Sequence, residues 1–152
     1  MPGSVSLTGD DVVTLNGRVF HDFAAGSVAE LVYGGDLVTA KPSKNGNIIY
    51  ALNVDGKMAT MTLLLLLGSS DDQYLNSLMA SQLNSLAGFT LVVGSFVKQV
   101  GDGNGNITNV VYNTIGGVIE RFPDAKTDTS GSTDQSVAKW VLKFGQTTRA
   151  IM

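Results

Sequence analysis

The residues able to do chemistry in this chain are few and poorly placed for it. His21 is the only histidine, and Asp22 follows it directly. Adjacent residues of a strand point to opposite faces, so the pair does not form a proton relay on its own. A Ser-His-Asp arrangement would need partners brought from elsewhere in the chain, and a metal cluster built on several histidines is excluded. Asp71 and Asp72 form a carboxylate pair, which the start of a helix accounts for. Glu30 and Glu120, the only glutamates, each lie on a β-like run. Asp102-Gly103-Asn104-Gly105-Asn106 imitates the opening of a calcium loop, but Ile107 stands where glycine is needed and Asn113 where glutamate is needed. A glycine-rich hairpin turn is the better reading. There is no G-x-G-x-x-G or G-x-x-x-x-G-K-[ST] phosphate loop. With no cysteine, disulfides, thiolate metal sites and thiol catalysis are excluded. The sequence therefore points to no catalytic, cofactor-binding or metal residues, and to binding or assembly in place of catalysis.

The bulk numbers agree. The chain has 152 residues, 43% of them hydrophobic, enough for one domain with a real core. Ten basic residues against 13 acidic give a net charge of −3, with no clustered basic face of the kind a nucleic-acid binder carries. Met1-Pro2-Gly3-Ser4 offers neither a positive nor an apolar leader, so no secretion signal is expected. The longest leucine run, Leu63 to Leu67, is far short of a membrane span, and no stable membrane insertion is expected. The 18 glycines follow no period and separate β-like runs, so they read as turns.

The elements that would position any site are mostly strands. Asp11 to Leu15 and Arg18 to Phe20 flank Asn16-Gly17, a strong hairpin signal. Val28 to Tyr33 is a further strand. Gly34 to Asn47 is polar and glycine-punctuated and reads as a long loop or extended hairpin, with room for a short strand at Leu37 to Ala40. Ile48 to Val54 resumes the strand pattern, and Asp55-Gly56 turns it. Lys57 to Leu67 follows, apolar on both faces in its second half, as expected of a strand covered on both sides. One amphipathic helix is predicted over about 71–86. Ser69 or Ser70 caps it, Leu75, Leu78, Met79, Leu83 and Leu86 form its apolar stripe, and Gly88 ends it. Phe89 to Val100, Ile107 to Asn113 and Ile115 to Phe122 are strands, the last broken by Gly116-Gly117. A mobile loop is expected over about 124–136. Val137 to Phe144 alternates, with Ala138, Trp140, Leu142 and Phe144 inward and Lys139 and Lys143 outward. The fold class is α+β, mostly β, in one domain spanning 1–152 with an extended N-terminal arm over about 1–9.

Beyond these patterns, the stretch LTGDDVVTLNGRVFHDFAA (Leu7 to Ala25) resembles the N-terminus of tail-tube proteins of contractile-tailed bacteriophages. The resemblance continues through KNGNIIYALNVDGKMATMTL, SSDDQYLNSLMA, FVKQVGDGNGNIT and the ending TTRAIM, in matching order over nearly the whole chain. It is a likeness of overall pattern, carried by no short diagnostic motif.

The resemblance implies a β-barrel-like sandwich with one flanking helix, similar in fold to the type VI secretion tube protein. It implies homo-hexameric rings stacked into a tube, with a sheath protein, baseplate and tail-terminator proteins as partners. DNA would transit the lumen without specific binding. The particle would be a virion tail assembled in the host cytoplasm. It also implies a long hairpin reaching the adjacent ring. On that basis Asp36, Leu37, Val38, Lys41, Pro42 and Lys44 are the expected inter-ring contacts, with Lys41 and Lys44 meeting acids such as Asp10, Asp11 or Asp22 of the neighbour. A net negative subunit suits a conduit that must not hold DNA. The alternatives are a type VI-like tube or another phage tail assembly protein, then a receptor- or carbohydrate-binding β module.

Overall fold

Strand-forming sequence dominates the computed structural model, which describes residues 6–7, 11–24, 29–125, 127, 129–131 and 133–152. Ten strands occur among these residues: β1 (Ser6–Leu7), β2 (Val12–Leu15), β3 (Arg18–Phe20), β4 (Ala29–Tyr33), β5 (Val38–Pro42), β6 (Ile48–Leu52), β7 (Ala59–Leu66), β8 (Val92–Gly101), β9 (Ile107–Arg121) and β10 (Val137–Ile151). One α-helix, α1 (Ser70–Asn84), lies between β7 and β8. Eight strands form an antiparallel sheet in the order β3-β2-β8-β9-β10-β7-β4, with β1 also pairing β8. β5 and β6 pair only with each other and form a separate two-stranded ribbon.

The expected barrel does not close. β3 and β4 stand at the two ends of the strand order and do not pair. The segment after β3 pairs with the end of β7 instead: Phe23 bridges Leu65, and backbone bonds run from Ala24 to Leu64 and from Leu66 to Asp22. The mostly-β, one-helix class expected from the sequence holds among the described residues. Of the expected N-terminal arm, Ser6–Leu7 is strand paired to Val100 and Gly101, and the rest lies outside the described residues. The expected mobile loop over 124–136 also falls partly outside them, and Thr133–Ser136 is a 3-10 turn.

Alternation sets the core. Ala59, Met61, Leu63 and Leu65 of β7 and Ala138, Trp140, Leu142 and Phe144 of β10 are all buried, in direct register as Phe144–Ala59, Leu142–Met61, Trp140–Leu63 and Ala138–Leu65. Val13, Leu15, Phe20, Leu75, Val92 and Ile119 complete the cluster. Lys139 and Lys143 point to the open face, as their alternation requires. At Asn16-Gly17 both residues have positive φ, 51° and 81°, as a type I′ turn demands. Opposite Phe144, Gly117 leaves room for the ring, since a Cβ there would overlap the ring carbons and stand 2.9 Å from the Val92 carbonyl.

Four local expectations are corrected. β9 runs unbroken from Ile107 to Arg121 through Gly116-Gly117, because cross-strand bonds to β8 and β10 outweigh the weak strand preference of glycine. The preceding strand β8 starts at Val92 and not at Phe89. The second half of β7 is covered on one side only: Leu63 and Leu65 are buried, while Leu66 is 46% exposed. The helix stops at Asn84, with Ser85 as its extended C-cap, well before Gly88. Its stripe is buried only at the N-terminal end. Leu75 is fully buried and Leu78 and Met79 pack on the core, but Leu83 and Leu86 are each 63% exposed. Periodicity marks a face; it does not say how far the packing partner extends along it.

Candidate functional site

The clearest polar cluster lies where α1 begins. Ser69 caps the helix by accepting from the Asp72 amide at 3.3 Å. Asp71, fully buried, accepts from the amides of His21 (2.8 Å) and Asp22 (2.9 Å) through Oδ2 and from Arg18 Nε (3.1 Å) through Oδ1. Asp22 answers across the same gap: its Oδ2 accepts from Ser70 Oγ at 2.8 Å and from the Asp71 amide at 3.4 Å. The Ser70 hydroxyl bond, then the Asp71 amide bond and the nearby His21 and Arg18, hold the Asp22 carboxyl below its ordinary value against the opposing effect of burial. Asp72 binds the Gly68 amide at 2.9 Å and the Trp140 indole Nε1 at 2.7 Å. The pair Asp71-Asp72 thus does more than begin a helix. It ties the helix to the residues after β3 on one side and to β10 on the other.

Serine, histidine and aspartate do meet here, but not as a catalytic relay. Ser70 donates to the Asp22 carboxylate, while the His21 ring stands 3.7 Å from Asp22 Oδ1 and 3.9 Å from Asp71 Oδ2 and is largely exposed. His21, Asp22 and Asp71 also have the donor types and proximity of a metal cluster. Their carboxylates are already engaged by three amides, a hydroxyl and the Arg18 guanidinium, whose charge opposes a cation. The arrangement is a structural clasp. The calcium-like loop is likewise a turn: Asp102 accepts from the amides of Asn104 (2.7 Å) and Asn106 (3.2 Å) and from Asn106 Nδ2 (2.7 Å), closing the β8–β9 hairpin.

The other prominent feature is the ribbon, where the residues expected to make inter-ring contacts are found. Val38, Lys41 and Pro42 lie on β5, Asp36 and Leu37 just before it, and Lys44 in the turn; all six are exposed. The polar stretch Gly34 to Asn47 is therefore the first arm of a hairpin whose second arm is β6. Pairing is Val38–Leu52, Thr39–Ala51, Ala40–Tyr50, Lys41–Ile49 and Pro42–Ile48. Directly opposed residues share a face. One face is thus wholly apolar, made by Val38, Ala40, Pro42, Ile48, Tyr50 and Leu52. Every residue of both strands is exposed, with Tyr50 at 68% and Leu52 at 67%.

The β6 half of this face was not recognised from sequence. Its signal was the run Ile48 to Leu52, readable as a strand but not as an unburied one. At the ribbon's base, an apolar cavity of about 320 Å³ is lined by Tyr33, Leu37, Lys57, Thr147 and Arg149.

The acids expected to receive Lys41 and Lys44 have other duties in their own subunit. Asp11 pairs with Lys98 at 3.1 Å and Asp22 belongs to the clasp, while Asp10 lies outside the described residues. On the open sheet face, Lys139 and Lys143 stand on β10, and Glu30 pairs opposite Thr62 on the same side.

No protein-family model matches this sequence, and no curated protein does. Solved structures match in fold. A chain from the anti-feeding prophage cap, a tube-terminating cap, superposes with a TM-score of 0.63 at 13% identity, over 93% of this chain and 88% of that one. A chain from the sheath–tube complex of an extracellular contractile injection system (PVC) in the extended state gives 0.61 at 12% identity, over 93% and 88%. One from the sheath/tube terminator of that system gives 0.54 at 12%, over 93% and 92%. The chain shares its fold with chains of these contractile injection assemblies.

Proposed function

We propose that this protein is a structural subunit of a contractile tail, a tail-tube protein that forms stacked homo-hexameric rings. The observation that carries the reading is the ribbon. An antiparallel pair with a continuous apolar face and no covering element is costly to leave in water, and contiguous exposed apolar surface of this kind marks a contact with another protein. The unpaired edges β3 and β4 add to it, because closure into a ring removes sheet edges that a free subunit leaves open. Head-to-tail contacts that close make rings, and those that continue make tubes. The fold shared with chains of sheath–tube and cap assemblies supports the same class.

In this reading the ribbon, with Asp36, Leu37, Val38, Lys41, Pro42 and Lys44, reaches the adjacent ring. A sheath surrounds the tube, baseplate and terminator proteins close its ends, and DNA transits the lumen of a virion tail assembled in the host cytoplasm. The role is non-catalytic and needs no cofactor. Negative-stain microscopy of the purified protein tests it: tubes or six-fold rings are expected, and monomers at all concentrations and in native particles would overturn it. Replacing Gly35 to Asn45 by a short Gly/Ser linker should leave folded subunits or single rings that do not elongate. Full-length tubes from that variant would place stacking elsewhere.

A second reading is favoured by the likeness to the cap chain, whose TM-score is 0.63. In it the protein ends a tube rather than building its length. Single rings bound only at tube ends, with no self-stacking, would select it.

A further inference from the structure

We infer that the apolar face of the ribbon docks on a specific uncharged groove of a neighbouring copy, the one beside the C-terminal half of α1. The inference rests on the assembly proposed above and names the surface that receives the ribbon. The groove, about 460 Å³, is lined by Leu78, Ser81, Asn84, Phe89 and Thr90, with Asn16 from the β2–β3 turn on its far side. Leu83, near the end of α1, and Leu86, just beyond it, are exposed on the same stretch of chain.

Charge separates this groove from the other cavities. Those at the ribbon base, beside Trp140, beside Val137 and beside Met58 each contain a charged side chain: Lys57 and Arg149, Asp72, Asp124 and Lys139, and Asp55 and Lys143. The α1 groove contains none, and no charged residue occurs from Gln73 to Val97. The ribbon face is equally free of charge; Lys41 lies on its opposite side and Lys44 in the turn. Two uncharged surfaces can meet without stranding an ion away from water, whereas an apolar ribbon laid on a charged groove would desolvate one.

Position agrees. The ribbon is inserted between β4 and β7, at one end of the strand order, while the groove borders the β2–β3 turn at the other. The ribbon and the groove are unlike surfaces of one chain, and contact between unlike surfaces is head-to-tail, the kind that closes a ring or propagates.

The cysteine-free chain allows a direct test. Two populations are prepared, one carrying Tyr50→Cys and the other Asn84→Cys, mixed under assembly conditions and oxidised. A disulfide-linked heterodimer is expected from the mixture, well above the homodimers of either population alone. In parallel, Thr90→Asp, at an exposed residue of the groove lining, should raise the critical concentration for assembly roughly tenfold, the consequence of burying a charge in an uncharged contact. Its helical circular dichroism reports that the subunit still folds. Tubes or rings that form without the cross-link, and that tolerate Thr90→Asp, would overturn the docking site while leaving the tube reading intact. A Thr90→Asp tube that elongates normally but no longer holds a different tail protein would assign the groove to that protein instead. Absence of any oligomer would overturn both the docking and the proposed assembly.

Discussion

Asp71→Ala is the most informative single perturbation of the subunit. The carboxylate is fully buried and holds two backbone amides, at 2.8 and 2.9 Å, and the Arg18 side chain. A hydrogen bond to a charged acceptor contributes ~1.5–3 kcal/mol, and a buried donor left unpaired costs in the same range. The Arg18 ion pair adds less, up to about 1 kcal/mol, because the arginine side chain is 35% exposed. Allowing water to relax the vacated site, the loss should be roughly 3–5 kcal/mol, a large part of the ~5–15 kcal/mol that holds a typical domain.

Asp71→Asn keeps an acceptor for the amides and surrenders the ion pair, so it should cost about 1–2 kcal/mol. Urea unfolding of the free subunit at neutral pH, followed by circular dichroism, measures both. An unchanged slope with a lower midpoint would mean that stability fell without a change in surface exposed. If Asp71→Ala stays within about 1 kcal/mol of the parent, the clasp does not anchor the helix, and the reasoning from buried hydrogen bonds fails.

Other consequences follow from the same geometry. Gly117→Ala should destabilise by about 1–3 kcal/mol or force the Phe144 ring aside, measured by thermal unfolding; an unchanged Tm would contradict the close packing there. The Asp22 carboxyl is held below 3.8 in the fold, so its contribution is present above that value and is lost as pH falls through the lower folded value. Ser70→Ala removes the largest cause and should move the acid-unfolding midpoint upward; a midpoint that stays put would separate this pair from acid stability. Asp72→Ala should loosen the Trp140 indole and redshift the fluorescence of the chain's only tryptophan, while an unchanged spectrum would show that the 2.7 Å bond does not fix the ring. The assembled protein should not bind duplex DNA tightly; salt-dependent sub-micromolar binding that disappears in Lys139→Gln/Lys143→Gln would reveal those lysines as a luminal grip.

What could be read from sequence was whatever is local. Alternation in Val137 to Phe144 named the buried face of β10, the Asn-Gly pair named a hairpin, and Ser69 or Ser70 with the two acids after them named the helix start, because each is decided by residues within a few positions; the structure makes Ser69 the cap. The resemblance to tail-tube proteins supplied the fold that the structural neighbours share. Tertiary structure decided everything that depends on where a partner ends. Leu83 and Leu86 continue the stripe, yet each is 63% exposed, and leucine spacing carries no record of that. Ile48, Tyr50 and Leu52 look like core strand and are exposed, because β6 pairs with β5 and never joins the main sheet. Asp71 reads as a helix-start acid, and its role as a clasp arises from bonds to residues about fifty positions away. Periodicity specifies which side of an element is apolar; only the folded chain determines what that side meets, and here two such sides, the ribbon and the residues around the end of α1, stay exposed.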